Sequence, residues 1–357
     1  MLKIKDILIV DIVLLLVGCS GDEIAIGNGR DDNGSDPVGM PIQFSVGLEG
    51  RALTRTDEVP LANDVHFTCS MYYHSKTSDT NENDYDFTKI TTAWLLVSGS
   101  DGNAVYKNQD YSADGTSFYW QNKLNHTFVA IADYNHPSSI EPIYPGDAYF
   151  TNYTLTTGSS ISDQPDPILA TEVKAPTSGD AVTNRVTLNF QHQFSQIQVN
   201  LKDAGNSTPI TAEDISNVEL LGVSKTGYVY TKLNANGTVD APTASEVNID
   251  NYTDEQLATN KWGTSFGMFV MTTTEGYLKS YNAIAFGTLR AIRVTWSGGT
   301  ATLEVQQTLA SGKMYTYNLS IQHPTAGTRG LLNNKSQTSE LVLDGDVSIT
   351  NWPVKNR

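Results

Sequence analysis

Several short patterns in this 357-residue chain have the residue types that chemistry needs. Gly263-Thr264-Ser265-Phe266-Gly267 satisfies Gly-x-Ser-x-Gly. A nucleophile elbow of that spacing needs a strand, a sharp turn and a helix, with an acid and then a histidine downstream. No helical pattern follows Ser265, and the only later histidine is His323. A glycine-rich strand or turn is the better reading. The six histidines, His66, His74, His126, His136, His192 and His323, show no metal-ligand spacing. Carboxylates gather in loop-like stretches such as 79–86 (DTNENDYD), where a solvated face explains them. The run 31–36 (DDNGSD) lacks the full spacing and closing Glu of a helix–loop–helix calcium site. No metal, no cofactor and no enzymatic activity are expected.

Two other kinds of residue point to processing rather than catalysis. Lys3 and Lys5 precede an apolar run that ends in Leu16-Val17-Gly18-Cys19. That is the layout of a secretory signal peptide, too short to span a membrane, although Asp11 interrupts the run. The ending resembles the lipobox of bacterial lipoproteins, in which the cysteine is acylated and becomes the first residue. Residues 20–23 (SGDE) place an acidic pair just behind it, similar to the surface-export signal of lipoproteins in the Bacteroidota. With Cys19 as the lipidation site, Cys69 has no disulfide partner and reads as a small apolar strand residue. Arg51 and Arg55 stand four residues apart, just after a strand-like stretch, in a chain with 23 basic residues against 39 acidic. They are either ordinary loop arginines or a place where a protease cuts an exposed connection.

Hydrophobic residues make up 39% and charged residues 17%, with Thr, Ser, Asn and Gly filling much of the rest, which favours strands and turns. A formal charge of −16 with no basic stripe excludes a nucleic-acid partner. Residues 1–18 read as signal peptide and 19–39, rich in Gly, Asp and Asn, as a flexible tether. Short alternating runs follow: Ile42, Phe44, Val46 and Leu48; Val65, Phe67, Cys69 and Met71; then 94–107 and 128–134. Residues 186–202 (VTLNFQHQFSQIQVNLK) carry the strongest strand signal. The Pro- and Gly-bearing stretch 174–184 is the expected boundary, giving domains 40–180 and 181–357. Residues 211–217 (TAEDISN) predict one short helical turn capped by Thr211. The second half continues through 218–230, 266–271, 283–309 and 314–322, with a hairpin turn at 297–299. It closes on Leu341, Leu343, Val347 and Ile349, an alternation interrupted by 344–346 (DGD). Many short strands at this spacing predict β-sandwiches.

Four segments in order resemble the fimbrillin-like subunits of type V pili from Bacteroidales. They are 166–173 (DPILATEV), 186–202 with its Phe-x-His and Ser, 309–322 (LASGKMYTYNLSIQ) and 347–352 (VSITNW). The resemblance implies an all-β fold of two tandem transthyretin-like Greek-key β-sandwiches. It implies a lipoprotein precursor exported to the outer membrane and acylated at Cys19. It further implies a protease cut at Arg55 or Arg51 and removal of the first strand (Ile42, Phe44, Val46, Leu48). A neighbouring subunit's C-terminal strand (Leu341, Leu343, Val347, Ile349, Trp352) then takes its place. Partners would be other pilus subunits, as homopolymer or tip and anchor components, and a host or bacterial surface ligand.

Elementary energetics permits such an exchange. Burying four apolar side chains of one strand contributes about 6–12 kcal/mol, comparable to the roughly 5–15 kcal/mol that stabilise a whole domain. Losing that strand unreplaced leaves an apolar edge that invites another, and a head-to-tail contact that does not close gives filaments. A stalk role is the first expectation, with a tip or anchor subunit as alternatives. A different alternative is a non-polymerising glycan-binding surface lipoprotein, using Trp94, Tyr119 and Trp120 or the cluster 71–74 (MYYH) as a stacking platform.

Overall fold

Alternation decides which face of a strand is buried, but not which sheet the strand joins. The computed structural model describes residues 36–48, 59–60, 65–73, 90–98, 103–106, 118–136, 150–155, 160–205, 209–234, 237–244, 261–322 and 340–352. Among these the regular elements are strands and one 3-10 turn, Ile161–Asp163, so the chain is all-β. The first nine strands are β1 (Phe44–Leu48), β2 (Val59–Pro60), β3 (His66–Tyr73), β4 (Ile90–Ser98), β5 (Asn103–Tyr106), β6 (His126–Asp133), β7 (Phe150–Thr154), β8 (Pro167–Lys174) and β9 (Val186–His192). All but β7 form one sheet in the order β2-β1-β5-β4-β3-β6-β8-β9. β1 also pairs with β9, in parallel, from Phe44 opposite Val186 to Leu48 opposite Phe190. The sheet therefore closes on itself, and β1 is the strand that closes it.

Inside the ring lies a core to which β1 gives Phe44, Val46 and Leu48, with Ile42 just ahead of it. Phe44 meets Phe118 and Phe128 edge-on, at 5.9 and 5.7 Å between ring centres, and Phe67 meets Phe190 at 5.5 Å. These are the preferred geometries for aromatic pairs.

The remaining strands are β10 (Ser195–Asp203), β11 (Ile215–Ser224), β12 (Thr226–Tyr230), β13 (Thr243–Ala244), β14 (Ser265–Gly267), β15 (Phe269–Met271), β16 (Lys279–Trp296), β17 (Gly299–Thr308), β18 (Lys313–Gln322), β19 (Glu340–Leu343) and β20 (Ser348–Asn351). The 18-residue β16 organises them. Its first part pairs with β10 and β15, its second with β11 and β17. Between the two parts sits Gly287, at φ 86, beside register shifts in both neighbouring ladders. A long strand that changes layer at a bulge makes the corner of a sandwich. Ile197, Val199 and Leu201 of β10, Val218 and Leu220 of β11, and Tyr317, Leu319 and Ile321 of β18 fill the second core. β10 and β18 run parallel.

Residues 186–202 carry two alternations in the sequence, Val186 to Phe190 and Ile197 to Leu201, and they are two strands in the fold. β9 belongs to the first sheet and β10 to the second. The changeover between sheets falls at Gln193 and Phe194. Gln193 N–H still bonds the Pro167 carbonyl (2.8 Å), whereas the Phe194 ring lies in the second core. Residues Ser35–Arg357 form one compact unit, also joined where β7 pairs with β12. The helical turn expected at 211–217 is instead a non-helical turn at 212–214 leading straight into β11, which takes Ile215–Asn217; Thr211 N–H and hydroxyl both donate to Asp214 Oδ2 at 2.8 Å.

The closed ring should be sensitive to any hole in its core. Phe190→Ala is expected to lower stability by about 3–5 kcal/mol in urea unfolding. Val182→Ser, at a position 61% exposed, should change it by less than about 0.5 kcal/mol.

Candidate functional site

The first strand is held on both edges and at its start. One edge meets β9 over five residue pairs. The other meets β5 at Phe44 and Ser45, then β2 at Gly47 and Leu48. Ahead of β1, Gly39 N–H donates to the Trp120 carbonyl (2.8 Å), Trp120 N–H to Met40 (3.1 Å), and Ile42 N–H to Phe118 (2.8 Å). Lys123 pairs with Asp36 at 3.1 Å. Ile42, Phe44, Val46 and Leu48 are 1–4% exposed. The four residues singled out in the sequence thus share one core, and the groove they fill is bounded by β9, β5 and β2.

The tail lies on its own sandwich. β19 and β20 pair antiparallel with opposite ends of β18, Leu343 opposite Leu319 and Ser348 opposite Thr316. The Asp344-Gly345-Asp346 interruption is a bend that shifts the register between them, with Gly345 at φ 83, Asp344 N–H on the Asn318 carbonyl and the Asp344 carboxylate paired with Lys202. Burial is uneven along it. Leu341 is buried, Leu343 and Val347 pack partly on the second core, and Ile349 is 52% exposed although it pairs with buried Tyr315. Trp352 is buried again, at 7%.

Trp352 ends at the point where the chain crosses between sheets. Its ring stacks on His192, 4.1 Å between centres and 11° from parallel, and its main-chain N–H donates to the Gly312 carbonyl (2.8 Å). His192 Nδ1–H donates to Asp166 Oδ1 at 2.8 Å, both side chains 2% exposed. Tyr134 meets His192 edge-on at 5.7 Å. Asp166 N–H is bound by the Asp133 carboxylate, which also accepts from the N–H groups of Asn135 and His136. Burial, with the nearby Asp133 and Asp166 carboxylates, drives the Tyr153 hydroxyl far above its ordinary pKa. The loop before β18 holds the crossing from the other side: the Ser311 hydroxyl donates to Gln193 O (2.8 Å) and the Ser195 hydroxyl to Ala310 O (2.7 Å). Gln164, fully buried, bonds both the N–H and the carbonyl of Ile284. The sequence marked His192 and Trp352 separately; their stacking, and Asp166 and Gln164 beneath, carried no spacing signal.

Other expected residues fall elsewhere. Cys19, Arg51 and Arg55 lie outside the described residues, as do His74 and the side chain of Trp94. Trp120, Met71 and Tyr72 are 0–2% exposed, which corrects the stacking-platform expectation for them. Trp120 packs on Phe128 and His126 inside the ring, leaving no face for a sugar. Among the described residues of that set, Tyr119 is exposed, at 40%. Ser265 lies in strand β14 against β11, not on an elbow. Cys69 is buried in β3, and burial pushes its thiol well above the ordinary range. Among the described residues no cluster of three or more His, Cys, Asp or Glu could hold a metal.

The fold defines an all-β protein with two packed cores. A family model described as fimbrillin-like matches residues 54–352, and the chain belongs to that family. Among solved structures, a candidate cell adhesion protein from Bacteroides ovatus aligns at TM-score 0.55 and 15% identity. That alignment covers 89% of this chain and 99% of the other. A second candidate adhesion protein, from Bacteroides uniformis, aligns at 0.50 and 14% identity over 87% and 98% of the two chains. At such identities these likenesses speak to the fold alone. No curated protein matches the chain. Family membership gives the coarse role, a subunit of a cell-surface fimbrium.

The buried pair beneath Trp352 offers a direct check on the crossing. Asp166→Ala leaves His192 buried without its acceptor and is expected to cost about 3–5 kcal/mol. Asp166→Asn, which keeps an acceptor oxygen, should cost clearly less in the same urea titration.

Proposed function

We propose that the chain is a structural, non-enzymatic stalk subunit of a fimbrium, exported as a lipoprotein acylated at Cys19 and assembled by strand exchange. In this reading a protease cuts at Arg55 or Arg51, β1 leaves, and the C-terminal segment of a neighbouring copy enters the groove along β9. The two cores stand for two tandem transthyretin-like sandwich domains, meeting at Gln193. The observation that carries the reading is the position of β1. It closes the first sheet, fills the core with three apolar side chains beside Ile42 just ahead of it, and leads directly into the segment that holds both arginines. Its removal leaves edges on both sides, and an incoming strand recovers main-chain hydrogen bonds and apolar pegs together. The tail supports the donor role, because Ile349 is an apolar peg left half exposed at home.

A specific observation also favours a second reading, an anchor subunit that keeps β1. The segment ahead of β1 is fastened to residues 118–120 by three main-chain hydrogen bonds and to Lys123 by an ion pair. A cut after Arg51 or Arg55 would still leave that fastening to be broken.

Intact mass and N-terminal sequencing of the protein from its own cell surface separate the two. A start at Thr56 or Ala52 is expected for the polymerising subunit; a start at lipidated Cys19 would replace the stalk reading with the anchor one. Deleting residues 341–352 is expected to abolish ladders of oligomers on denaturing gels run without boiling. Ladders that persist in the deletion would exclude the tail as donor.

A further inference from the structure

β9 touches both candidate exchange elements. Along residues Val186–Phe190 it is the parallel partner of β1. Two residues further on, His192 is the seat of Trp352. The same His192 is pinned by Asp166, the residue just ahead of β8, and Asp166 is pinned by Asp133 at the end of β6. The ends of β6, β8 and β9 are therefore tied into one buried polar cluster, and the indole of Trp352 is its apolar cover. Hydrogen bonds in a dry cluster are stronger than in water, and they weaken when water enters.

We infer that Trp352 is a latch that couples the seating of the tail to the seating of β1, through His192 and β9. With the latch closed, the imidazole is stacked and dry, and the end of β9 is fixed against β8, whose Ile168 pairs with His192. With the tail lifted, the His192–Asp166 pair is wetted and β9 loses its fixed end two residues from the β1 ladder. β20 itself contributes little to closure, since Ser348, Ile349 and Thr350 are all exposed. The holding contacts are concentrated at its end, in the stacked Trp352 and the 2.6 Å hydrogen bond from Lys313 Nζ to Asn351 Oδ1. Coupling of this kind is reciprocal: whatever loosens β1 must loosen the tail by the same factor. The inference adds regulation to the assembly reading above, and it is a property of a single chain, so the two are tested separately.

The test is hydrogen–deuterium exchange by mass spectrometry on the full, uncleaved chain as a monomer. Trp352→Ala is expected to speed exchange about tenfold in peptides covering 42–48 and 186–192, as well as in 340–351, while β3 stays unchanged. Trp352→Phe keeps an aromatic face on His192 and should restore most of the protection. Ile349→Ser, on the exposed part of β20, should leave 42–48 untouched. In the reverse direction, Val46→Ala should speed exchange in 348–352. The latch is overturned if Trp352→Ala acts only on the tail, if it raises β3 equally, or if Val46→Ala leaves the tail unaffected. Loss or retention of oligomer ladders does not enter this test, so it can fail while strand exchange stands.

Discussion

Everything in the first half of the molecule depends on one constraint: a sheet has two edges, and each edge carries unpaired main-chain groups that seek partners. Here the edges of an otherwise six-stranded sheet, β5 and β9, are brought together, and β1 is placed between them. One five-residue strand thereby satisfies β9 on one side and β5 with β2 on the other. The same residues complete the core, because Phe44 is the meeting point of the aromatic cluster with Phe118 and Phe128. Closure and core filling are assigned to a single short segment near the start of the fold.

The second half solves the edge problem differently. β16 turns a corner at Gly287 and serves two layers, and the sandwich keeps real edges, one of them formed by β19 and β20 on β18. Along that edge burial is strong at Leu341, weak through β20, and strong again at Trp352. A segment fixed at its ends and loose between them can be peeled only by releasing an end. The bend at Asp344-Gly345-Asp346 separates the well-buried part from the exposed part, so lifting β20 need not uncover Leu341.

Much of this was legible in the sequence, and what was not follows from the physics of strands. Period-two alternation identified Ile42, Phe44, Val46 and Leu48 as one buried face, and the composition fixed the all-β class. Alternation is blind to partners, however. Residues 186–202 read as two alternating strands, and nothing in that pattern shows that the chain changes sheet between them, at Gln193 and Phe194. The change is set by a carbonyl of Pro167 and the seat of one phenyl ring, neither of which has a local signature. The aromatic residues near 120 misled for a related reason. Trp120 follows exposed Tyr119 in an irregular segment, and only tertiary packing on Phe128 and His126 shows that it faces inward.

The junction shows why the Phe-x-His and Ile-x-x-Trp patterns occur 160 residues apart in one chain. His192 ends the strand that holds β1, and Trp352 ends the strand that lies on β18; each is polar or bulky where a plain strand would need neither. An imidazole buried at the crossing demands an acceptor, which Asp166 supplies, and a dry cover, which the indole supplies. A purely apolar contact at the same place would bind the halves as well, but it would be indifferent to water. A buried polar pair makes the crossing depend on being covered. The cover is the end of the very segment that the assembly reading would send to another subunit. The chemistry of the junction thus links the state of the tail to the strand on which the first sheet closes.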